Sequence, residues 1–333
     1  MKKILFRWRI ILGGSALFGL GLWAGSVLIP LKIDIGSLAL RQNSSKYKFT
    51  NPLLLCDISP SAPLNEYKDM GDKITALIKG SSVGTGPSRV SVYYRNLNTG
   101  RWMGINDNDH YSPASLLKVT TMIAFFKLAE DDPSILQKKI FYDGSFDDNT
   151  QEMIKPPQEI VAGNSYTVQY LIERMIEYSD NNALLLLNNN IHTPFLAEVY
   201  TDLGITIPPF GGPIDFMSAK SYSYFFRILY NASYLNRVMS ERALALLGKA
   251  DFSKGIKAGV PSGILVAQKF GERTVLLKNN PTPVTRELHD CGIVYSPGHP
   301  YLLCVMTEGS DFDKLSSIIR DISKMVYEEV GRG

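Results

Sequence analysis

Histidine and cysteine are scarce in this chain, which holds four of the former and three of the latter among 333 residues. The four histidines are scattered, so the sequence predicts no metal site, and no cofactor is expected. The chain also lacks a large excess of charge of one sign, because its net charge is only +3 and its basic residues form no patch. Nucleic acid is therefore not expected as a partner. No internal repeat or low-complexity tract is present, which excludes solenoid and fibrous architectures.

Charge is missing altogether from one long apolar stretch, residues 10–31, which follows four basic residues within positions 1–9. At about 1.5 Å per residue, a helix of this length crosses a hydrocarbon core of about 30 Å. We expect a transmembrane signal anchor at 10–31, with the basic end 1–9 in the cytoplasm. The alternative is a cleaved secretory signal, but the best candidate for its cleavage site, Ala24-Gly25-Ser26, lies inside the apolar stretch.

Beyond the expected anchor the composition becomes polar, and residues 32–50 are predicted to form a short stalk. The remaining residues, 51–333, are enough to bury a large core and are expected to form one domain outside the cell membrane. We expect this domain to be a monomer, tethered to the membrane only through the N-terminal helix.

A polar pair opens an otherwise apolar stretch, because Ser115 and Lys118 stand three residues apart and residues 119–126 carry no charge. The run from 116 to 128 predicts a buried helix with Ser115 near its positive end. A spacing of three places Lys118 one turn away on the same face. Burial lowers the pKa of a lysine and frees its amine as a base, which a serine nucleophile requires. The alternative is an N-cap serine beside a solvated lysine.

Two further polar segments follow in a fixed order. Ser179, Asp180 and Asn181 come directly after a predicted helix at 167–178, where residues of these types also serve as ordinary caps. Lys269 and Gly271 lie on a predicted strand with both side chains on one face, although Lys-x-Gly is also common at strand ends. Each segment is weak evidence by itself, and the order of the three is the signal.

In this order the three segments resemble those of the class A β-lactamases and penicillin-binding serine hydrolases, over roughly residues 90–330. Tyr111 to Ala114 before Ser115, and His289 to Tyr295, resemble the family's approach to the nucleophile and its late strand. The resemblance implies an α/β (α+β) fold, with an antiparallel sheet flanked by helices and an all-helical lobe. The early helix near 67–78 and the last helix near 312–326 are expected to cover one face of that sheet.

The resemblance also implies roles for the residues at the matching positions. Ser115 would be the acylated nucleophile, Lys118 its base or proton relay, and Ser179 the group that passes a proton to the leaving nitrogen. Asn181 would hold the substrate's amide carbonyl, and Lys269 would supply positive charge to Ser179 and to a substrate carboxylate. The implied substrate is an amide with an adjacent carboxylate.

Backbone N–H groups are expected to bind the oxyanion, at Ser115 and at Glu272 directly after Gly271.

Two departures from the family pattern limit how far the β-lactamase function can be expected. No glutamate occurs between Glu198 and Glu241, so the glutamate that activates water to hydrolyse the acyl-enzyme in the family is missing. Asp215 lies in that interval, but we expect it to begin a helix. Phe270 stands where the family usually has threonine or serine.

Cys291 and Cys304 flank a turn at 296–299, so a hairpin centred between Pro297 and Gly298 would place them opposite each other. A disulfide is the alternative, but we expect two buried thiols because cross-strand bridges are uncommon. Elsewhere, Ser240-Glu241 is expected to begin a helix.

The sequence therefore predicts a membrane-anchored serine hydrolase that forms an acyl-enzyme with a β-lactam or with a D-alanyl peptide of the cell wall. Efficient β-lactam turnover is not expected because the deacylating glutamate is absent. Two alternatives remain at this point. One is a slowly deacylating D,D-peptidase or transpeptidase, and the other is a non-catalytic module that binds penicillin or the cell wall as a sensor.

Overall fold

The computed structural model describes residues 41–42, 46–52, 67–82, 86–150, 152–209, 211–276 and 283–332. The anchor predicted at 10–31 and residues 32–40 of the predicted stalk lie outside these residues. Among the helices that are described, none combines the length and apolar character needed to cross a bilayer.

Helices occupy the middle of the described chain, and the long strands lie towards its two ends. In chain order the elements are α1 (Lys68–Ser81), β1 (Arg89–Asn96), β2 (Trp102–Ile105), β3 (His110–Tyr111), α2 (Lys118–Asp131), β4 (Lys139–Tyr142), β5 (Asn164–Thr167), α3 (Val168–Glu177), α4 (Asn181–Asn188), α5 (Thr193–Asp202), β6 (Met217–Ser218), α6 (Ala219–Asn231), α7 (Arg237–Leu247), β7 (Val266–Leu276), β8 (Pro283–Val294), β9 (Tyr301–Gly309) and α8 (Phe312–Val330).

The main sheet has five antiparallel strands in the order β2-β1-β9-β8-β7. Its central strand β9 is buried along almost its whole length, which is expected for a strand with both faces covered. Pairing of β1 with β9 joins the two ends of the domain. Short pairs, β3 with β6 and β4 with β5, lie outside this sheet.

One face of the sheet is covered by α1 and α8. The last helix buries apolar residues at helical spacing, and its N-terminus is capped by Asp311, which accepts from the Asp313 N–H at 2.9 Å. The buried side chains of α8 are Leu315, Ser316, Ile318, Ile319, Ile322, Ser323 and Val326. The predicted cover of this face by the early and last helices is thus confirmed.

The other face carries the helical lobe, whose centre is α2. Every residue from Lys118 to Phe126 is buried, so the first nine positions of this helix have no solvent-exposed side. Lys118 is therefore not a solvated surface lysine. The neighbouring helix α3 is capped by Thr167, whose hydroxyl accepts from Tyr170 N–H.

Two predicted helix starts were wrong. The α-helix begins at Lys118 rather than at 116, because residues Ala114–Leu117 form a 3-10 turn that holds Ser115. The helix expected from Ser240 begins earlier, at Arg237, because Asn236 is the cap and accepts from Met239 N–H at 3.0 Å.

The cysteine prediction was also wrong, because Cys291 and Cys304 are joined in a disulfide. The predicted hairpin is present, and the two residues are direct partners in the β8–β9 register with their Cα atoms 4.0 Å apart. A directly opposed antiparallel pair brings the two Cβ atoms close enough for the sulfurs to bond.

Residues near the start of the described chain are fixed to α7 by one carboxylate. Glu241 accepts from the Phe49 and Thr50 N–H groups at 2.8 Å each and from the Thr50 hydroxyl at 2.9 Å. Thr50 is buried. The last residues of the predicted stalk thus lie on the helical lobe.

A glycine on β8 gives a test of this packing. A Cβ at Gly292 would lie 2.5 Å from the Ala267 carbonyl oxygen and 2.8 Å from the Gln268 Cα, and backbone cannot move aside cheaply. We expect Gly292→Ala to lower the free energy of unfolding by about 2 kcal/mol, measured by urea denaturation.

The matched control is Gly80→Ala, at an exposed position of α1 where no atom lies within 4 Å of the added Cβ. This variant should gain about 0.5–1 kcal/mol from helix propensity. A Gly292→Ala protein as stable as the Gly80→Ala protein would contradict the close packing of β7 on β8.

Candidate active site

The three polar segments predicted from the sequence meet around the ammonium group of Lys118. Ser115 comes from the 3-10 turn that precedes α2, and Lys118 is the first residue of that helix. Ser179 and Asn181 come from the corner between α3 and α4, and Lys269 comes from β7. The structure thus brings together the residues predicted to act in one site.

Lys118 Nζ lies within hydrogen-bonding distance of four oxygens. Ser115 Oγ is at 2.8 Å and Ser179 Oγ at 3.0 Å. The Ser179 carbonyl is at 2.6 Å and Asn181 Oδ1 at 2.5 Å. A 3-10 turn eclipses side chains three residues apart, which explains why Lys118 reaches the Ser115 hydroxyl so directly.

The types of these four oxygens matter for the chemistry. The Ser179 carbonyl and Asn181 Oδ1 can only accept, so they take both N–H groups of a neutral amine and leave its lone pair for a hydroxyl. Complete burial lowers the pKa of Lys118 to about 8. The site therefore holds an amine beside Ser115 that can lose its proton near neutral pH.

A second buried lysine shares one partner with the first. Lys269 Nζ donates to Ser179 Oγ at 3.0 Å and to the Phe270 carbonyl at 3.1 Å. Burial lowers the pKa of Lys269 well below its usual range, and the nearby Lys118 lowers it further. The Ser179 hydroxyl thus stands between two amines, a suitable place for a group that relays protons.

Asp180, the middle residue of the corner, has a structural role. It caps α4 by accepting from Ala183 N–H at 3.1 Å, and it also accepts from Ile160 N–H at 2.8 Å and from the Asn149 amide at 2.9 Å. Ser179 before it has a φ of 60°, a left-handed conformation that is costly for a serine. The cap and its partners hold this strained corner in place.

The 3-10 turn that holds Ser115 packs directly on β7 at Gly271. A Cβ at this position would lie 3.1 Å from both Leu116 Cγ and the Pro113 carbonyl oxygen. Ala114, just before Ser115, has a φ of 45°. Glycine thus permits the close approach of β7 to the turn that holds Ser115.

The two departures from the family pattern have definite places in the structure. Phe270 is buried and stacks on Phe252 with ring centroids 4.4 Å apart. Asp215 is exposed near Arg273, at 3.4 Å, and does not cap the next helix, because Ser218 is the cap residue of α6. The expectation that Asp215 begins that helix was therefore off by three residues.

Sequence analysis missed one acidic residue at the site, Glu152, in the segment between β4 and β5. Its Oε1 accepts from the Asn181 amide, and the Asp148 carbonyl accepts from the same amide at 3.2 Å. Glu272 was expected to contribute only its backbone, but its carboxyl is buried and accepts from Ile154 N–H at 2.7 Å. No sequence motif marks Glu152, which lies in an irregular polar segment.

The contacts of Asp180 predict a large effect on stability. Asp180→Ala removes the α4 cap and leaves buried donors of Asn149 and Ile160 without an acceptor, so we expect a loss of about 3 kcal/mol in the free energy of unfolding. The control is Asp311→Ala, which removes an exterior cap alone and should cost about 1 kcal/mol. Equal losses in a thermal or urea unfolding series would contradict the buried role of Asp180.

Comparisons with solved structures place the fold of this chain among known folds. Solved structures share the fold at low sequence identity, and among them is PBP-A, with a TM-score of 0.66 and 19% identity over 82% of this chain and 99% of that one. A point mutant of PBP-A, solved as an acyl-enzyme complex with penicillin-G, has a TM-score of 0.66 and 19% identity over 83% and 100% of the two chains. A class A beta-lactamase from Mycobacterium abscessus has a TM-score of 0.63 and 20% identity over 79% and 99%.

A search of curated protein sequences gave no match. The profile of the Beta-lactamase enzyme family, in contrast, matches residues 69–330. This range contains every segment of the site described above and most of the chain. The chain belongs to the beta-lactamase enzyme family.

Proposed function

We propose that this protein is a membrane-anchored, extracytoplasmic serine acyl-transfer enzyme that forms an acyl-enzyme on Ser115 with a β-lactam or a D-alanyl peptide. The observation that carries the proposal is the 2.8 Å contact of Lys118 Nζ with Ser115 Oγ, made by a fully buried amine. A lysine in that setting serves as a base rather than as a surface charge.

In the proposed acylation, neutral Lys118 takes the proton of the Ser115 hydroxyl as Oγ attacks the amide carbonyl carbon. The negative oxygen that develops is held by the backbone N–H groups of Ser115 and Glu272, and each such donor typically contributes about 3–4 kcal/mol to the transition state. As the carbon–nitrogen bond breaks, Ser179 gives its proton to the leaving nitrogen and takes one back from the Lys118 ammonium at 3.0 Å. Ser115 keeps the acyl group; the amine of a D-alanyl peptide departs, whereas the nitrogen of an opened β-lactam ring stays attached to the acyl group. Lys269 keeps the Ser179 hydroxyl oriented and lowers the cost of its transient negative charge.

Deacylation is proposed to be slow. No glutamate lies between Glu198 and Glu241, and Asp215 is an exposed residue paired with Arg273. Loss of a general base typically slows a step by about 10²- to 10⁴-fold. We therefore favour a D,D-peptidase or transpeptidase of slow turnover over an efficient β-lactamase.

The location is part of the proposal. Residues 10–31 form an uncharged stretch preceded by basic residues, a pattern typical of a membrane anchor whose N-terminus stays in the cytoplasm. The Cys291–Cys304 disulfide supports an oxidising exterior for the domain. A cleaved signal would place the same domain outside without a tether.

A second candidate function is a penicillin- or wall-binding sensor. It is supported by the Asn181 amide, whose donors are already taken by Glu152 and Asp148. A substrate carbonyl would have to displace one of them. A sensor would be acylated once and not turn over.

A labelling experiment tests these functions. Full-length protein in detergent micelles is incubated with a fluorescent penicillin and, separately, with a chromogenic cephalosporin. We expect a stable label in the wild type, no label in Ser115→Ala, and little colour. Rapid colour would make the protein a β-lactamase, and equal behaviour of wild type and Ser115→Ala would rule out the serine chemistry.

The pKa of Lys118 predicts the pH dependence of labelling. Because burial lowers this pKa to about 8, the neutral fraction of the amine grows as pH rises through that value. From pH 6 to pH 8 we expect the labelling rate to rise about 50-fold, and to level off above pH 9. The variant Lys118→Arg keeps a permanent charge and should lose about 10²- to 10⁴-fold in rate with no such rise. A flat wild-type profile would mean that Lys118 is not the base.

A further inference from the structure

Two carboxyl groups from separate segments of the chain meet at the site. Glu152 lies between β4 and β5, Glu272 lies on β7, and the two side chains are close enough to interact. Both groups accept when ionised, so this contact requires a shared proton or another donor. Burial, together with the contact with Glu152, raises the pKa of Glu272 to about 8.

Glu272 is incompletely satisfied. Its Oε1 accepts from Ile154 N–H, whereas its Oε2 is buried and finds no donor among the described residues. The residue is only 7% exposed, so water does not compensate freely. A buried carboxylate oxygen without a donor is costly, and a cationic donor is its strongest partner.

The pair lies next to groups that the proposed reaction uses. Glu152 is bonded to the Asn181 amide, and Asn181 in turn contacts Lys118 at 2.5 Å. Glu272 follows Gly271 on the strand beside the nucleophile. The carboxyls thus lie beside Asn181, which the family resemblance assigns to the substrate's amide carbonyl, and we take this to be the acyl side of the substrate.

The charges around this point are predominantly negative. The cations that face the pair are Lys118 and Lys269, and the other carboxyls in the same field are Asp180 and Asp290. Arg273, next to Glu272 on β7, is engaged by Asp215 and Glu287 instead. Four carboxyl groups thus face two lysines, although burial raises the pKa of Asp290 to about 7 and so reduces its negative charge near neutral pH.

We propose that Glu152 and Glu272 form a recognition site for a protonated primary amine on the acyl side of the substrate. An ammonium group would replace the shared proton, supply a donor to Glu272 Oε2 and keep a contact with Glu152. A carboxylate at the same place would be repelled. This inference rests on the proposed function, because that function defines which part of the substrate lies here.

A matched pair of ligands tests the inference. Ampicillin and penicillin G differ by one amine on the acyl side chain, and that amine is mostly protonated at pH 7 because α-amino groups have a pKa of about 7.7–8. With the full-length protein, the second-order rate constant for acylation of Ser115 is measured for each by competition with the fluorescent penicillin. We expect ampicillin to react about tenfold faster.

Isosteric variants locate the preference. Glu272→Gln and Glu152→Gln keep the shape of the side chain but leave one carboxyl group where there were two. An ammonium group then loses one of its two carboxyl acceptors, so the ratio of the two rate constants should fall to about one or two. The control is Glu198→Gln, an exposed residue of α5 with the same change in net charge. Its ratio should equal that of the wild type.

Two results would overturn the inference: equal rates for the two penicillins in the wild type, or a ratio that the Gln variants leave unchanged. Should a Gln variant fail to fold, the wild-type ratio and the other variant still decide. Failure of the proposed function has a different signature, namely no acylation by either penicillin.

In that case binding without reaction provides the test. Calorimetric titration of full-length Ser115→Ala with each penicillin should give a lower Kd for ampicillin if the carboxyl pair binds an amine. Equal Kd values, or no binding of either ligand, would overturn the inference even without any acylation.

Discussion

The site depends on the burial of one ammonium group, that of Lys118. Its nitrogen contacts oxygens from three separate residues, two of them distant in the chain, and removal of water makes each contact count more than it would at a surface. The same burial disfavours the charged form of the lysine. The burial of Lys118 therefore both strengthens the contacts that join these segments and favours the neutral amine that the proposed chemistry requires.

Strand β7 has three functions at this place. Gly271 lets the strand lie against the turn that holds Ser115, while the carboxyl of Glu272 reaches the segment between β4 and β5. Phe270, just before them, directs its ring into the core instead of presenting a hydroxyl. Successive residues thus divide among close packing, core formation and polarity at the cleft.

The residues that the motifs name could be predicted from the sequence because each follows a local pattern. Ser115 and Lys118 precede an uncharged helix, Ser179 to Asn181 follow an amphipathic one, and Lys269 lies on an apolar strand. Their convergence could be expected only through the family resemblance, since no local rule brings distant segments together.

What sequence analysis missed depends on tertiary structure. Glu152 lies in an irregular segment without periodicity, and its partners Asn181 and Glu272 are far away in the chain. The 3-10 turn at 114–117 was missed because its residues are equally compatible with an α-helix. For Cys291 and Cys304 the hairpin register was predicted correctly, but the local sequence does not determine whether two directly opposed cysteines form a disulfide.

Two of the four non-glycine residues with left-handed φ values in the described part of the chain, Ala114 and Ser179, lie at the candidate site. Glycine at either position would relieve a conformational cost of about 1 kcal/mol in the folded chain. At position 114 it would also free the dihedral angles that aim the Ser115 hydroxyl, and at position 179 it would remove the Ser179 hydroxyl altogether. A gain in stability at either position would therefore weaken the geometry on which the proposed chemistry rests.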